Sequence, residues 1–136
     1  MTTLPSGSAR IGSWIAQLIA AGILAQAAFF KLTSAPESIA LFGRLGVDPW
    51  GRYAVGIYEG VTALLLLIPR TALLGGLLAA GLMIGAIGTH LLRLGLAING
   101  DPSMFIMALA TLGAALVILL IRRTEWPFRW PPNAGT

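Results

Sequence analysis

The sequence predicts an all-α, integral membrane four-helix bundle with a short interfacial helix between its first and second spans. Three observations predict it. Of 136 residues, 57% are hydrophobic and 10% are charged, and the mean hydropathy is +0.84; an ordinary soluble domain carries about 25% charged residues. A soluble chain of this length leaves much of its surface wet, so no soluble core would hide so much apolar surface. Finally, the apolar residues fall into four separate segments, each close to the ~20 residues that span a bilayer as helix. The chain reads as one membrane domain over 1–136, with the lipid bilayer as its first partner.

The first span is expected at about 14–32, "WIAQLIAAGILAQAAFFKL". Ala25–Ala27 mimics a small-residue cleavage site, but the apolar run continues through Phe29 and Phe30, so a span is expected here rather than a cleaved leader. Ser34 with Glu37 three residues later has the form of a capping box. It opens a stretch at about 35–45 with Ile39, Leu41, Phe42 and Leu45 on one side and Glu37 and Arg44 free for water. This is too short to cross and is expected to lie over one end of the bundle.

The second span is expected at 53–69, the third at 71–94 and the fourth at 103–121. Glycine in the third is ordinary for membrane helices. Two connections share a grammar: Arg44-Leu45-Gly46 precedes Asp48-Pro49, and Arg93-Leu94-Gly95 precedes Asp101-Pro102. Arg suits a helix C-terminus, Gly the left-handed stop, Asp the next cap and Pro its first turn. Gly56 with Gly60, and Gly81 with Gly85, form small-xxx-small pairs expected to pack helices closely.

The formal charge is +4, but the basic residues are scattered without interleaved aromatics, which argues against a nucleic-acid partner. The absence of cysteine excludes disulfides, thiol relays within the chain and thiolate metal sites. An even number of spans puts both termini on one side, with Arg10, Arg70, Arg122, Arg123 and Arg129; Lys31, Arg44, Arg52 and Arg93 fall on the other. The basic-side rule then favours cytoplasmic termini, with Trp126 and Trp130 as anchors there and Trp50 opposite.

Glu59, in "GIYEGVTALLLLIP", is the residue that most needs an explanation, because an ionisable group within a span marks a functional site by default. With Trp14 and Thr71 as inner ends, Lys31 lies roughly 26 Å up the first span and His90 roughly 28 Å up the third. Glu59 lies about 9 Å below Tyr53 or about 15 Å below Pro49. All three fall between the middle and the outer face of a core about 30 Å thick. Lys31, His90 and Arg93, one turn beyond His90, are the candidate partners of Glu59. Taken singly, Lys31 and Arg93 are also long enough to snorkel to the outer headgroups, and His90 suits an uncharged helix-packing bond. A Glu–His pair in an apolar pocket can exchange a proton with a ligand; a Glu–Lys or Glu–Arg pair fixes helices. Tyr58 points about 100° away from Glu59 on a helix, and Thr89 is expected to bond its own backbone.

The stretches "GILAQAAFFKLTSAPE", "GIYEGVTALLLLIPR" and "GLMIGAIGTHLL", in this order, resemble the DoxX-like family of small bacterial four-helix membrane proteins over about residues 13–123. The resemblance marks a lysine closing the first span, a glutamate early in the second and a histidine late in the third: Lys31, Glu59 and His90. It implies a bacterial inner-membrane location. Some relatives are associated with quinone-linked sulfur oxidation or membrane oxidoreductase complexes, and a eukaryotic branch acts in receptor assembly.

Three readings stay open. The first is a pocket for a lipophilic, quinone-like molecule formed by Glu59, His90, Lys31 and Arg93, in an accessory subunit of a membrane oxidoreductase. Its cofactor is otherwise unassigned: no haem, flavin or metal motif is present, and one histidine cannot ligate haem twice. The second is an assembly factor or interaction partner of another membrane protein, or a homo-oligomer, with no chemistry of its own. The third is a small transporter, which would require oligomerisation.

Overall fold

The computed structural model describes residues 7–98 and 100–123. Five helices follow in order: α1 (Gly7–Leu32), α2 (Pro36–Arg44), α3 (Trp50–Leu67), α4 (Ala72–Thr89) and α5 (Ser103–Ile121). A single 3-10 turn at Pro69–Thr71 joins α3 to α4, and α4 runs on into a wide π turn at His90–Leu94. The fold is all-α, as expected, and α1 begins seven residues before Trp14. Trp126, Trp130 and Arg129 of the predicted cytoplasmic side, and Asn99, lie outside the described residues.

The predicted punctuation is partly as expected. Gly46 and Gly95 sit at φ 77° and 82°, in the left-handed region that glycine enters without steric cost, and α2 and the π turn stop there. Asp101 Oδ1 accepts the backbone N–H of Ser103, the first residue of α5, at 2.9 Å, although the N-cap position itself is Pro102 and has no side-chain cap. Asp48 does not cap α3; its carboxylate is taken by Arg52 Nε, one turn on, at 2.6 Å. The Ser34–Glu37 capping box is also absent. The N-cap of α2 is Ala35, without a side-chain cap, because Ser34 turns to φ 60° and its hydroxyl accepts from Arg52 instead, at 2.9 Å.

The four long helices run up, down, up, down around a closed ring. α1 packs on α3 and α5, and α4 on α3 and α5. Lys31 reaches Glu59 and Gln17 reaches Leu66, so α1 and α3 are antiparallel. Tyr58 donates its hydroxyl to the carbonyl of Leu78 across α3 and α4. This directs Tyr58 away from Glu59, as the helical angle predicted.

Small residues fill the middle and large ones face out. The core holds Ala16, Ala20, Ala21, Ala63, Ala79, Ala80, Ala108, Ala114 and Ala115 around Leu24, Leu66, Met83 and Ile118. Ile15, Leu18, Leu64, Ile84, Leu92 and Leu120 are exposed. A water-soluble fold buries its large apolar side chains; a membrane bundle turns them to lipid and uses small ones to bring backbones together.

Gly7–Leu32, Pro69–Leu94 and Ser103–Ile121 are each long and apolar enough to cross a membrane. α3 matches α4 at 18 residues, but Arg52 and Glu59 lower its overall apolarity. Both are buried, so the outward face of α3 remains apolar.

Close helix approach falls on one of the predicted glycines and on two others. At Gly56, an added Cβ would meet Leu32 at 3.0 Å and Lys31 Cβ at 3.1 Å, so this expected contact forms; Gly60 is looser, with Ala28 Cβ at 3.9 Å. At Gly81 and Gly85 nothing lies within 4 Å. The tight positions on α4 are Gly75, against the Leu66 backbone nitrogen at 3.0 Å, and Gly76, against Ile118 at 3.2 Å. The reason is rotational: Gly75 and Gly76 are buried against neighbours, whereas Gly81 and Gly85 face outward.

The expected outcome is that Gly75→Ala lowers stability by about 1–3 kcal/mol through overpacking against backbone that cannot move aside. Gly81→Ala is expected to leave stability unchanged or raise it by about 0.5–1 kcal/mol through helix propensity. Unfolding in mixed micelles checks both.

Candidate functional site

The end of the bundle covered by α2 holds the predicted cluster. Lys31, in the last turn of α1, places Nζ 3.0 Å from Glu59 Oε1 and donates to Oε2 at 3.3 Å. The side chains are 12% and 5% exposed, so Lys31 turns inward to the carboxylate rather than outward to headgroups.

The backbone makes this possible. Gly56, one turn before Glu59, lets α3 approach α1 at Lys31 and Leu32. Arg52, one further turn back and also buried, donates Nη1 to the Lys31 carbonyl at 2.7 Å and to Ser34 Oγ at 2.9 Å. Its Nε is held by Asp48, and its guanidinium lies 4.5 Å over the Tyr53 ring. Arg52 therefore fixes the end of α1 on which Lys31 sits. It acts on Glu59 through Lys31 as a positioning residue.

His90 comes from α4, where the α-helix widens into the π turn. Such widening costs regular hydrogen bonding and concentrates at functional sites. The ring packs edge-on against Phe105 with centroids 5.7 Å apart. Nδ1 lies 2.9 Å from the Ala86 carbonyl. A carbonyl only accepts, so Nδ1 carries a proton, and in the Nδ1–H tautomer Nε2 presents its lone pair.

Lys31, Glu59 and His90 line one cavity of about 870 Å³. Its wall is otherwise mainly apolar, with Leu24, Ala27, Phe30, Leu41, Met83, Met104 and Met107 contributing. Glu37 and Arg44 from α2, and Asp101 before α5, also line it and are exposed. Two buried side-chain atoms of these lining residues, Glu59 Oε1 and His90 Nε2, have no hydrogen-bond partner among the described residues. For Oε1 this stands beside a close ammonium: the Lys31 contact is within ion-pair distance, but only its contact with Oε2 has hydrogen-bond geometry.

Arg93 does not join the cluster. It is exposed and absent from the cavity wall, because the π turn carries it past the bundle end. Thr89 bonds its own helix at the Gly85 carbonyl, as expected.

A second polar cluster lies at the opposite end of the bundle. Arg122 donates Nε to Ser13 Oγ at 2.8 Å and to Gln17 Oε1 at 3.1 Å. Its Nη1 reaches the Pro69 carbonyl at 3.4 Å, and Gln17 Nε2 donates to the Leu66 carbonyl at 2.7 Å. Arg122, counted among the basic residues on the side of the termini, is buried, 6% exposed. The cluster ties the start of α1 to the ends of α3 and α5.

Sequence reasoning missed the inward roles of Arg52 and Arg122 and the methionine-rich wall. Asp48 and Arg52, four apart, were a readable signal for the first. Ser13 and Gln17, also four apart in an apolar run, were a weaker signal for the second.

A buried bundle with small residues inside and large ones outside, with a polar cluster at one end, defines an integral membrane helix-bundle protein. A model of the DoxX-like family matches residues 15–120, and the chain belongs to that family. No curated protein and no solved structure matches it.

Removing one member of a buried ion pair strands the other charge. Lys31→Met is expected to destabilise the bundle by about 3–5 kcal/mol, whereas Lys31→Met with Glu59→Leu recovers most of that loss. A double-mutant cycle by micellar unfolding checks it.

Proposed function

We propose that the chain binds a lipophilic small molecule in the cavity beneath α2. The Lys31–Glu59 pair and His90 receive its polar head, and a quinone-like ring is the leading class. One observation carries this reading: two buried polar atoms without a hydrogen bond among the described residues, Glu59 Oε1 beside the Lys31 ammonium and His90 Nε2, belong to residues lining the same cavity. Buried polar atoms are normally satisfied, so two exceptions in one cavity point to a group that arrives from outside. The volume and mostly apolar wall suit a small-molecule site with few convergent polar groups. Met83, Met104 and Met107 add polarisable side chains that adapt to a ligand's shape.

The chain's part in this reading is to hold and orient. Electron transfer falls to a partner membrane protein carrying the redox group, for which this chain is an accessory subunit. The four long helices cross the bacterial inner membrane with both termini cytoplasmic, and α2 lies over the outer face. Exposed basic residues support that direction: among the described residues, Arg10, Arg70 and Arg123 lie towards the end with the termini, and Arg44 and Arg93 towards the other. The assembly-factor reading is best served by a dry ion pair without a cavity, and the cavity weighs against it.

The test is native mass spectrometry with lipid extraction of gently purified protein. Wild type is expected to carry one lipophilic species in stoichiometric amount. Glu59→Gln is expected to lose it, as is Ala27→Phe, which fills the cavity from α1. Nonspecific phospholipid alone in all three would overturn the pocket reading and return the assembly-factor reading to first place.

A further inference from the structure

We infer that the ligand of this cavity is a neutral amphiphile whose head donates a hydrogen bond through a hydroxyl, as in a phenol, a quinol or a long-chain alcohol. This rests on the pocket reading above and narrows its quinone-like class to the reduced, hydroxyl-bearing form and to other hydroxyl heads. Both atoms without a hydrogen bond, which belong to residues of the wall, are acceptors, and Oε1 has in addition the Lys31 ammonium at 3.0 Å. Glu59 Oε1 is a carboxylate oxygen, and His90 Nε2 is a bare ring nitrogen because Nδ1–H is committed to the Ala86 carbonyl. A head that only accepts, such as a quinone carbonyl or an ether, leaves both atoms unsatisfied. A hydroxyl donates to one of them and still accepts through its oxygen.

Charge narrows the head further. The cavity wall carries the carboxylates of Glu37, Glu59 and Asp101 against the cations of Lys31 and Arg44. An anionic head, such as a fatty acid or a phospholipid phosphate, enters a wall with more acids than bases. A cationic amine meets the Lys31 ammonium already 3.0 Å from Glu59 Oε1. A neutral donor avoids both repulsions. Glu59 and His90 are 4% and 5% exposed, so water competes weakly for either acceptor and the wrong head is penalised there.

The test uses a matched pair that differs only in the donated proton: 4-nonylphenol and its methyl ether. Radiolabelled 4-nonylphenol is titrated against the protein in nanodiscs, with empty nanodiscs as the blank, and competed with each unlabelled compound. Saturable binding of the phenol is expected, with the ether weaker by about tenfold or more, the scale of leaving a buried acceptor unpaired. The preference is expected to shrink in His90→Leu and in the Lys31→Met, Glu59→Leu double variant. Equal competition by phenol and ether in wild type would overturn the donor requirement while leaving the pocket intact. A preference that persists undiminished in both variants would overturn its assignment to these two acceptors. No saturable binding of either compound overturns the pocket itself, and this inference with it.

Discussion

Glu59 lies at the middle of α3, 4% exposed, in a bundle whose apolar core is mainly alanine and leucine. A carboxylate placed there is strongly disfavoured unless a counter-charge meets it, and the local architecture answers to that requirement. Gly56 removes the side chain that would hold α1 away. Lys31 sits at the close of α1 where its ammonium reaches both carboxylate oxygens. Arg52, in turn, anchors the Lys31 carbonyl and the Ser34 hydroxyl, so the turn into α2 is fixed by the same helix that carries Glu59. One pairing therefore organises three helices.

The same pairing leaves work undone. The ion pair offsets the charge of Glu59 but leaves Oε1 without a hydrogen bond, and His90 nearby in the wall has a free lone pair of its own. A bundle concerned only with its own stability has cheaper solutions: a buried ion pair replaced by apolar residues of like volume is often neutral or stabilising. The opposite end shows how this chain satisfies a buried cation. There Arg122, Gln17 and Ser13 interlock with each other and with backbone carbonyls. The cluster beneath α2 borders a cavity, and two of its buried side-chain atoms carry no hydrogen bond among the described residues. The proposed binding therefore falls to the end beneath α2, while the hydrogen bonds at the other end fix its helices.

Much of this was legible in the sequence. Segment lengths placed the helices, and Gly46 and Gly95 marked their stops. Counting helical rise from the predicted ends brought Lys31, Glu59 and His90 to one half of the bundle. Depth is not direction, however. Arg93 shares the depth but follows the π turn away from the cluster, and no pattern in "THLLRLG" announces that widening. Helix rotation was also hidden: Gly75, Gly76, Gly81 and Gly85 all sit in one apolar helix, and only packing decides which of them face neighbours. The capping box failed for a similar reason, since Ser34 had a distant competitor in Arg52 that local grammar does not reveal.

The most direct test of the central claim uses the absence of cysteine, which makes any introduced thiol the sole one. Ala27→Cys lies in the cavity wall, and Ala20→Cys lies about two turns away on the same helix in the packed core. The account predicts that N-ethylmaleimide labels the Ala27 variant in nanodiscs about tenfold faster or more, because thiol reactivity follows access. Loading with ligand should slow that labelling. Equal, slow labelling at both positions would mean a closed bundle with a dry ion pair, and would contradict the account.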